Sequence, residues 1–208
     1  MIKKTFFCFT VLLAFSVSLN AGSLPKKLEL SKKSEVKEKT PDQALYDALY
    51  KTNIFKSCSA QVEQALKDGA DANKQYFHGS FGAFDYPLHL AAHFYNDGVM
   101  LTKLLLEHGA ELEKFCNASQ TPLFCAVKYR NLAVAQFLLE KGANVNTRSK
   151  WLSPLLVAVK NDDAAMVKLL LEWGASWKVW DEAGRTVFNV CQSLEVFSLL
   201  HAARAQNP

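Results

Sequence analysis

The sequence predicts an all-α fold made of similar units stacked along one axis, because two motifs recur in phase. One motif places proline, leucine and alanine at fixed spacing in residues 87–92, 121–126 and 153–158, with a weaker copy in 186–191. The other is a leucine-rich run closed by Gly-Ala, and its glycines, Gly109, Gly142 and Gly174, lie 33 and 32 residues apart. Units of this kind cannot bury their apolar faces alone, so they form a core by stacking.

The period near 33 residues, together with the Pro-Leu-His-Leu-Ala form of residues 87–91, resembles the ankyrin repeat. The resemblance covers residues 86–186 well and residues 41–85 and 187–203 more loosely. It implies an ankyrin-repeat solenoid of about five stacked helix-turn-helix pairs with hairpin loops between them. The domain is expected over residues 41–205, with its best repeats at 86–118, 121–150 and 153–183. The resemblance also implies a scaffold for binding.

The first helix of each unit is expected to begin at the proline of the first motif. Thr121 and Ser153 can accept hydrogen bonds from the free amides of a first turn. Pro122 and Pro154 follow at a position where a missing N–H costs nothing. Tyr86 takes the place of the hydroxyl residue in its unit, so that helix has a less well-defined start.

The second helix of each unit carries a wider apolar stripe, and it ends at a glycine. Leu138 and Leu170 lie within such stripes, so we expect both to be buried between neighbouring units. Gly109, Gly142 and Gly174 supply the left-handed residue that commonly follows the end of a helix.

The two ends of the array are less regular. Residues 41–72 read as an N-terminal helix pair, and the loop over 73–85, which is rich in Gly and Phe, is longer than its counterparts. Insertions in repeat arrays fall on loops, often on the binding face. The last unit has Val187 in place of the proline and a short turn near Ser193, which suits a C-terminal cap; we expect Phe197, Leu199 and Leu200 to bury one side of it.

The first 21 residues have the layout of a secretory signal peptide. Lys3 and Lys4 precede an apolar stretch over residues 6–19, and Ala21 provides a small residue for cleavage. The predicted location is therefore periplasmic or secreted, with Gly22 as the first mature residue; a retained N-terminal anchor is the alternative. The Lys-, Ser- and Glu-rich residues 22–40 are expected to form a flexible basic linker.

The charge distribution argues against nucleic acid as a partner. The whole chain has a formal charge of +4, but Lys3 and Lys4 contribute +2 and residues 23–40, with six lysines and three glutamates, contribute +3, so the repeat region from Pro41 onward is left at about −1. A body with that charge lacks the cations that bind a phosphate backbone.

Four cysteines remain after the predicted cleavage: Cys58, Cys116, Cys125 and Cys191. Stacked helices lie about 8–10 Å apart, so Cys125 and Cys191, two repeats apart, exceed the Cα separation of about 7 Å that a disulfide allows. We expect free thiols, with Cys125 and Cys191 shielded and Cys116, on a hairpin loop, the most reactive.

No pattern in the sequence supports catalysis, a metal or a cofactor. His89 and His93 are four residues apart on one helix, a spacing that can hold a metal. The resemblance, however, implies a structural hydrogen-bonding role for His89. The cysteines lack CxxC spacing, and neither a phosphate-binding loop nor a His-Glu-x-x-His motif occurs. We therefore predict a protein that is not an enzyme.

The candidate binding residues are aromatic and basic. Large aromatic residues stand on loops whose tips are usually polar in ankyrin repeats, and aromatics dominate interface hot spots. Lys128, Lys160 and His93 align on the first helices, which predicts a groove with aromatic rims and a basic floor. The competing interpretation is that basic residues at these helix ends are simply common in the family. The predicted partner-binding set is Trp151, Trp180, Phe115, Lys128, Lys160, His93, Phe81 and Phe84.

The resulting hypothesis is a monomeric, non-catalytic scaffold that binds a protein partner outside the cytoplasm through its hairpin loops and concave first helices. Two alternatives share this fold. One is an accessory or chaperone-like protein that stabilises an exported enzyme, and the other is a secreted effector that binds a host protein. The fold alone does not decide among them.

Overall fold

A computed structural model describes residues 39–50, 57–78, 83–94 and 96–206. The predicted signal peptide, almost all of the predicted linker, and Phe81 lie outside these residues. The described part is helical apart from one short antiparallel hairpin. Its elements are α1 (Pro41–Tyr50), α2 (Ser59–Lys67), β1 (Tyr76–His78), β2 (Ala83–Asp85), α3 (Pro87–Ala91), α4 (Gly98–Glu107), α5 (Pro122–Lys128), α6 (Leu132–Glu140), α7 (Pro154–Lys160), α8 (Ala164–Glu172), α9 (Val187–Val190) and α10 (Leu194–Gln206).

The helices form five antiparallel pairs that stack side by side, as the sequence predicts. Each odd-numbered helix packs on the even-numbered helix that follows it, and first helices pack on first helices of the next pair, as α5 does on α7. Second helices stack in the same way, so α4, α6 and α8 form the other layer. The prediction of an all-α ankyrin solenoid is confirmed.

The long loop after the first pair contains the hairpin β1–β2. Tyr76 pairs with Asp85 and His78 with Ala83 in antiparallel register. This strand pairing extends the loop without adding a layer to the core.

All four helices of the third and fourth pairs, α5 to α8, begin with a side-chain cap. Thr121 accepts from the amide of Phe124 at 3.3 Å and Ser153 from that of Leu156 at 3.2 Å, as predicted. The second helices α6 and α8 begin in the same way, with Asn131 and Asp163 as the caps. Tyr86 offers no such bond to α3.

The predicted glycine positions adopt the left-handed backbone that ends each second helix. Gly142 has a φ of 92° and Gly109 a φ of 83°. The space around the Cβ position at both is open, so the requirement for glycine there is set by the backbone and not by crowding.

The core divides into two hydrophobic clusters along the array. The N-terminal cluster lies among α1 to α4 and contains Leu45 and Leu105, and the C-terminal cluster runs from α5 to α10. Leu138 and Leu170 are buried in the latter, which confirms the prediction for both. Phe197 was expected to be buried, and this is wrong. Val196 and Leu200 face the core from α10, which leaves Phe197 on the outer side, where its ring contacts Phe188.

A ladder of hydrogen bonds joins consecutive pairs along the loops that follow the second helices. Each rung is a backbone amide, two residues after a closing glycine, that donates to a side-chain oxygen. The oxygen belongs to the preceding unit in three rungs and to α1 of the same pair in the first. The pairs are Asp71 to Asp42 at 2.9 Å, and Glu111 to Asn73, Asn144 to Glu113 and Ser176 to Asn146, each at 2.8 Å. The acceptors at Asn73, Glu113 and Asn146 each lie four residues after their own glycine.

The four described cysteines are free thiols, but their exposure differs from the expectation. Cys116 is buried although it lies on a hairpin, because its amide and carbonyl bond to the tip at Gln120 and Ser119 and turn the side chain inward. Cys191 is the most exposed of the four and was expected to be shielded. Cys125 is buried, as expected, and burial raises the pKa of its thiol well above the ordinary value.

Candidate protein-binding face

Three consecutive hairpin tips and one helix end enclose an open groove of about 770 Å³. We call it the hairpin groove; it is lined by the tips at 117–120, 149–152 and 181–185 and by Lys160 at the end of α7. Its volume falls within the range of about 300–1,000 Å³ that is usual for ligand sites. Of the predicted binding residues, Trp151 and Lys160 meet here.

Trp151 stands at the tip of the shortest hairpin. Ser149 and Leu152 bracket a two-residue turn, with the amide of each bonded to the carbonyl of the other at 2.8 and 2.9 Å. Ser149 Oγ also donates to the carbonyl of Ala118 on the preceding tip at 3.0 Å, which joins the two tips. The backbone is therefore fixed while 53% of Trp151 remains exposed.

Asp181 organises the third tip around a buried carboxylate. Its Oδ1 accepts from the amides of Ala183 and Arg185, each at 3.0 Å, and its Oδ2 accepts from Arg185 Nη2 at 2.8 Å and Nε at 3.1 Å. Lys160 Nζ approaches the same oxygen at 3.1 Å from the end of α7. Burial alone would raise the pKa of Asp181, but the hydrogen bonds from Arg185 and Lys160 outweigh it and hold that pKa well below its ordinary value.

The predicted basic floor is present in part. Lys160 belongs to the groove, but its charge is shared with Asp181. Lys128 is exposed, and its ammonium lies 5.4 Å from the ring centroid of Tyr129. The ring centroid of His93 lies 3.8 Å from that of Tyr129, with the two ring planes tilted by 49°. Lys128, His93 and Tyr129 therefore form a polar-aromatic cluster, and none of the three lines the groove.

The remaining predicted aromatics lie on other parts of the hairpin side. Trp180 is 47% exposed, and the guanidinium of Arg148 lies 5.3 Å from its ring centroid. Phe115 is exposed on the hairpin that contains Cys116. Phe84 lies in β2, and Phe81 is outside the described residues.

Sequence reasoning missed Asp181, Arg185 and Lys150, which contribute most of the charge of the groove. Asp181 and Arg185 flank a tip that contains Gly184, an arrangement typical of a turn in which the acid bonds the following amides. That local signal was available. The ion pair with Lys160 was not, because it joins residues 21 positions apart on different elements.

His89 has the structural role that the resemblance implies. Its Nε2 lies 2.9 Å from the carbonyl of Gln120, which leaves the ring inside the array and not on a metal-binding surface. Within the described ranges, no three His, Cys, Asp or Glu side chains are grouped in a way that could hold a metal ion. None of the helices in the same ranges has the length and apolar character needed to cross a membrane.

The stacked helix pairs and the exposed hairpin tips define a repeat-array protein of the kind that binds other proteins. Family comparison supports this directly: the description "Ankyrin repeats (3 copies)" matches residues 45–149, and "Ankyrin repeat" matches residues 151–182. The chain belongs to the ankyrin repeat family, and it is a protein–protein interaction scaffold of a fold that is typically non-catalytic.

Comparison with solved structures gives the same fold. The crystal structure of the human ASB11 ankyrin repeat domain superposes with a TM-score of 0.62 at 21% sequence identity. The match covers 78% of this chain and 66% of that one, so the chain spans slightly less than two thirds of the length of its structural relative. No curated protein sequence matches the chain.

Proposed function

We propose that this ankyrin-repeat protein is a monomeric, non-catalytic scaffold that acts outside the cytoplasm and binds a protein partner through the hairpin groove and the adjoining tips. One observation above all supports the proposal. Trp151 and Trp180 are about half exposed on successive hairpins whose backbones are fixed by hydrogen bonds. A large aromatic group on a rigid support loses little conformational entropy on binding.

The location outside the cytoplasm rests on residues 1–21. Lys3 and Lys4 followed by the apolar run over 6–19 and by Ala21 favour export and cleavage. Mass spectrometry of the protein from its native cells should find Gly22 as the first residue, in an extracytoplasmic fraction. An intact N-terminus in the cytosol would exclude this part of the proposal and leave the binding face unaffected.

The binding face is tested with a matched pair of tryptophans. Trp173 is 44% exposed, close to the value for Trp151, but it caps α8 on the second-helix layer, away from the groove. Partner captured from the extracytoplasmic fraction by the parent chain should be lost with Trp151→Ser and retained with Trp173→Ser. A hot-spot tryptophan contributes about 2 kcal/mol or more, so the loss of affinity should be about thirtyfold.

Each result has a defined meaning. Both variants should keep the melting temperature of the parent within about 2 °C, because surface substitutions change stability little. Equal capture by the parent and Trp151→Ser, with loss of capture by Trp173→Ser, would move the interface to the second helices and contradict the proposal.

A further inference from the structure

We propose that the hairpin groove takes an extended acidic segment of the partner, with an apolar side chain packed on Trp151 and carboxylates on the surrounding cations. This inference rests on the proposed function and narrows it to a chemical class of partner. Three properties of the groove carry it: the sign of its exposed charge, the arrangement of its one buried acid, and the position of its exposed ring.

The cations of this face exceed its anions, although the repeat region as a whole does not favour cations. The groove and the tip beside it contain Arg148, Lys150, Lys160 and Arg185, against Asp181 and Glu182. The region from Pro41 onward has a formal charge of about −1. These six residues carry a net formal charge of +2 (four cations against two anions), and a surface of that sign attracts acidic partners.

The buried acid strengthens this polarity at the surface. The Asp181 side chain is 4% exposed, whereas those of Lys160 and Arg185 are 35% and 57% exposed. The two cations are therefore accessible to a partner in the groove, whereas the carboxylate of Asp181 is almost inaccessible. Arg185 uses its Nε and Nη2 hydrogens on Asp181, so its guanidinium is held in one orientation with further N–H donors directed elsewhere.

Lys150 adds a cation that no carboxylate of the described residues neutralises, and it directly precedes Trp151 on the same tip. Leu152, Ala118 and Ala183 add apolar surface to the lining of the same groove. The groove thus combines an exposed apolar contact with ammonium and guanidinium groups. An acidic segment with an apolar residue is complementary to that combination.

A nucleic acid fits the same face less well. Glu182 lies exposed on the wall of the groove, where it would oppose a phosphate, and Asp181 stands behind the two cations nearest to it. Binding of a phosphate backbone requires an excess of cations along its path. A carboxylate-bearing peptide needs only one or two such contacts.

The experiment selects peptides directly on the protein and does not require the native partner. A random dodecapeptide phage library is panned on the purified full chain, and the best peptide is synthesised with a fluorescent label. Its affinity is then measured by fluorescence anisotropy for the parent, for Trp151→Ser and Lys150→Glu, and for the matched controls Trp173→Ser and Lys103→Glu. Lys103 is an exposed lysine of α4, distant from the groove in the array.

We expect the selected peptides to be rich in Asp and Glu around an aromatic or aliphatic residue. Trp151→Ser should weaken binding about thirtyfold and Lys150→Glu about tenfold, with both controls within about twofold of the parent. Raising the salt concentration should weaken binding to the parent, because exposed ion pairs are screened.

Selected peptides that lack acidic residues but still depend on Trp151 would overturn this inference and leave the proposed function standing. Failure to enrich any peptide would overturn the inference alone, since capture of the native partner tests the proposed function separately. Displacement of the peptide by a lower concentration of single-stranded oligonucleotide would assign the groove to nucleic acid. Peptides that bind equally to the parent and to all four variants would bind outside the groove and would overturn this inference, while capture of the native partner would still test the proposed function.

Discussion

The N-terminal half of the array (α1 to α4) and its C-terminal half (α5 to α10) are built from the same kind of helix pair. They differ in how many of their polar groups have hydrogen-bond partners. In the C-terminal half, all four helices from α5 to α8 begin with a side-chain hydrogen bond. In the N-terminal half, Thr40 caps α1 through the amide of Gln43, but α2, α3 and α4 begin without such a bond. The comparison shows that recurrence of the motif fixes the geometry of a repeat without fixing its capping hydrogen bonds.

Unpartnered buried atoms follow the same division. Among the described residues, His89 Nδ1 and Thr102 Oγ1 are the buried side-chain atoms without a hydrogen-bond partner, and both belong to the pair α3–α4. An unsatisfied buried polar atom costs about 1–3 kcal/mol. Repeat arrays unfold by units according to local stability, so we expect the N-terminal half to open first.

Removal of core leucines should give the largest effect and separate the two halves. Leu105 and Leu138 are both buried, one in each hydrophobic cluster. Either Leu→Ala substitution should cost about 2–5 kcal/mol in the free energy of unfolding. In urea unfolding followed by circular dichroism, Leu105→Ala should produce an early separate transition, whereas Leu138→Ala should lower the main one. Parent-like curves for both would show that the assigned stacking is wrong.

Substitution at a closing glycine tests the backbone requirement with little change in packing. Gly142→Val should destabilise by about 1–3 kcal/mol, because a β-branched residue is strained at positive φ. Gly142→Asn is the matched control and should cost less, since Asn tolerates the left-handed conformation. Thermal melting of both variants measures the difference; equal melting temperatures would indicate that Gly142 leaves that conformation in solution.

Removing a helix cap from the C-terminal half and adding one to the N-terminal half tests whether the caps cause the difference in stability. Ser153→Ala should cost about 1 kcal/mol by removing the cap of α7. Tyr86→Thr should supply the missing cap to α3 and stabilise the N-terminal half by a similar or smaller amount, because the ring contact with His89 is lost. Native-state hydrogen exchange at the amides of α3 and α7 reads out each effect. Faster exchange throughout α3 in Tyr86→Thr would show that the tyrosine ring stabilises this helix more than a cap would.

A pH titration should act on the same half. Burial lowers the pKa of His89 below its ordinary value of 6.5, although the bond to the Gln120 carbonyl partly opposes this. The unfolded chain then takes up the proton first, so stability is complete above pH 6.5 and falls as the pH drops from 6.5 towards the lowered pKa. Urea midpoints of the N-terminal transition from about pH 8 to 5 measure this loss. His89→Gln should flatten the profile; an unchanged profile would assign the titration to another group.

The rates of thiol labelling report the order in which parts of the fold open, and this experiment requires no substitution. Cys191 should react first with iodoacetamide because it is the most exposed. Burial, with Asp97 nearby, raises the pKa of Cys58 to about 11, so it reacts only when the N-terminal half opens. Cys125, in the capped half, should react last. Faster labelling of Cys125 than of Cys58 would reverse the proposed order of stability.

The sequence predicts those features of the fold that are decided within a few residues. Thr121 and Ser153 act as caps, and Gly142 adopts positive φ, because each depends on its own turn of helix or loop. Predictions that required the direction of a side chain were less successful. Cys116 lies on a hairpin but points inward, and Phe197 lies on a packed helix but points outward.

The candidate site was predictable only where exposure follows from the position in the hairpin. Trp151, Trp180 and Phe115 are exposed on tips, as their place in the repeat indicates. The charge around them was not predictable, because Lys160 and Asp181 come together only when two repeats stack. Nothing in the composition distinguishes a lysine paired with a buried acid from one that faces solvent.

The amide ladder runs in one direction along the array, and it ends where a unit lacks the acceptor oxygen. Four residues after Gly174, where Asn73, Glu113 and Asn146 supply an oxygen in their units, the chain has Lys178. Its ammonium lies 5.1 Å from the ring centroid of Trp177, and an ammonium group donates hydrogen bonds but accepts none. At the other end of the ladder, the amide of Asp71 already donates to Asp42 of its own pair. We therefore expect that the ladder does not continue into a second molecule at either end, which would disfavour head-to-tail growth into an open filament.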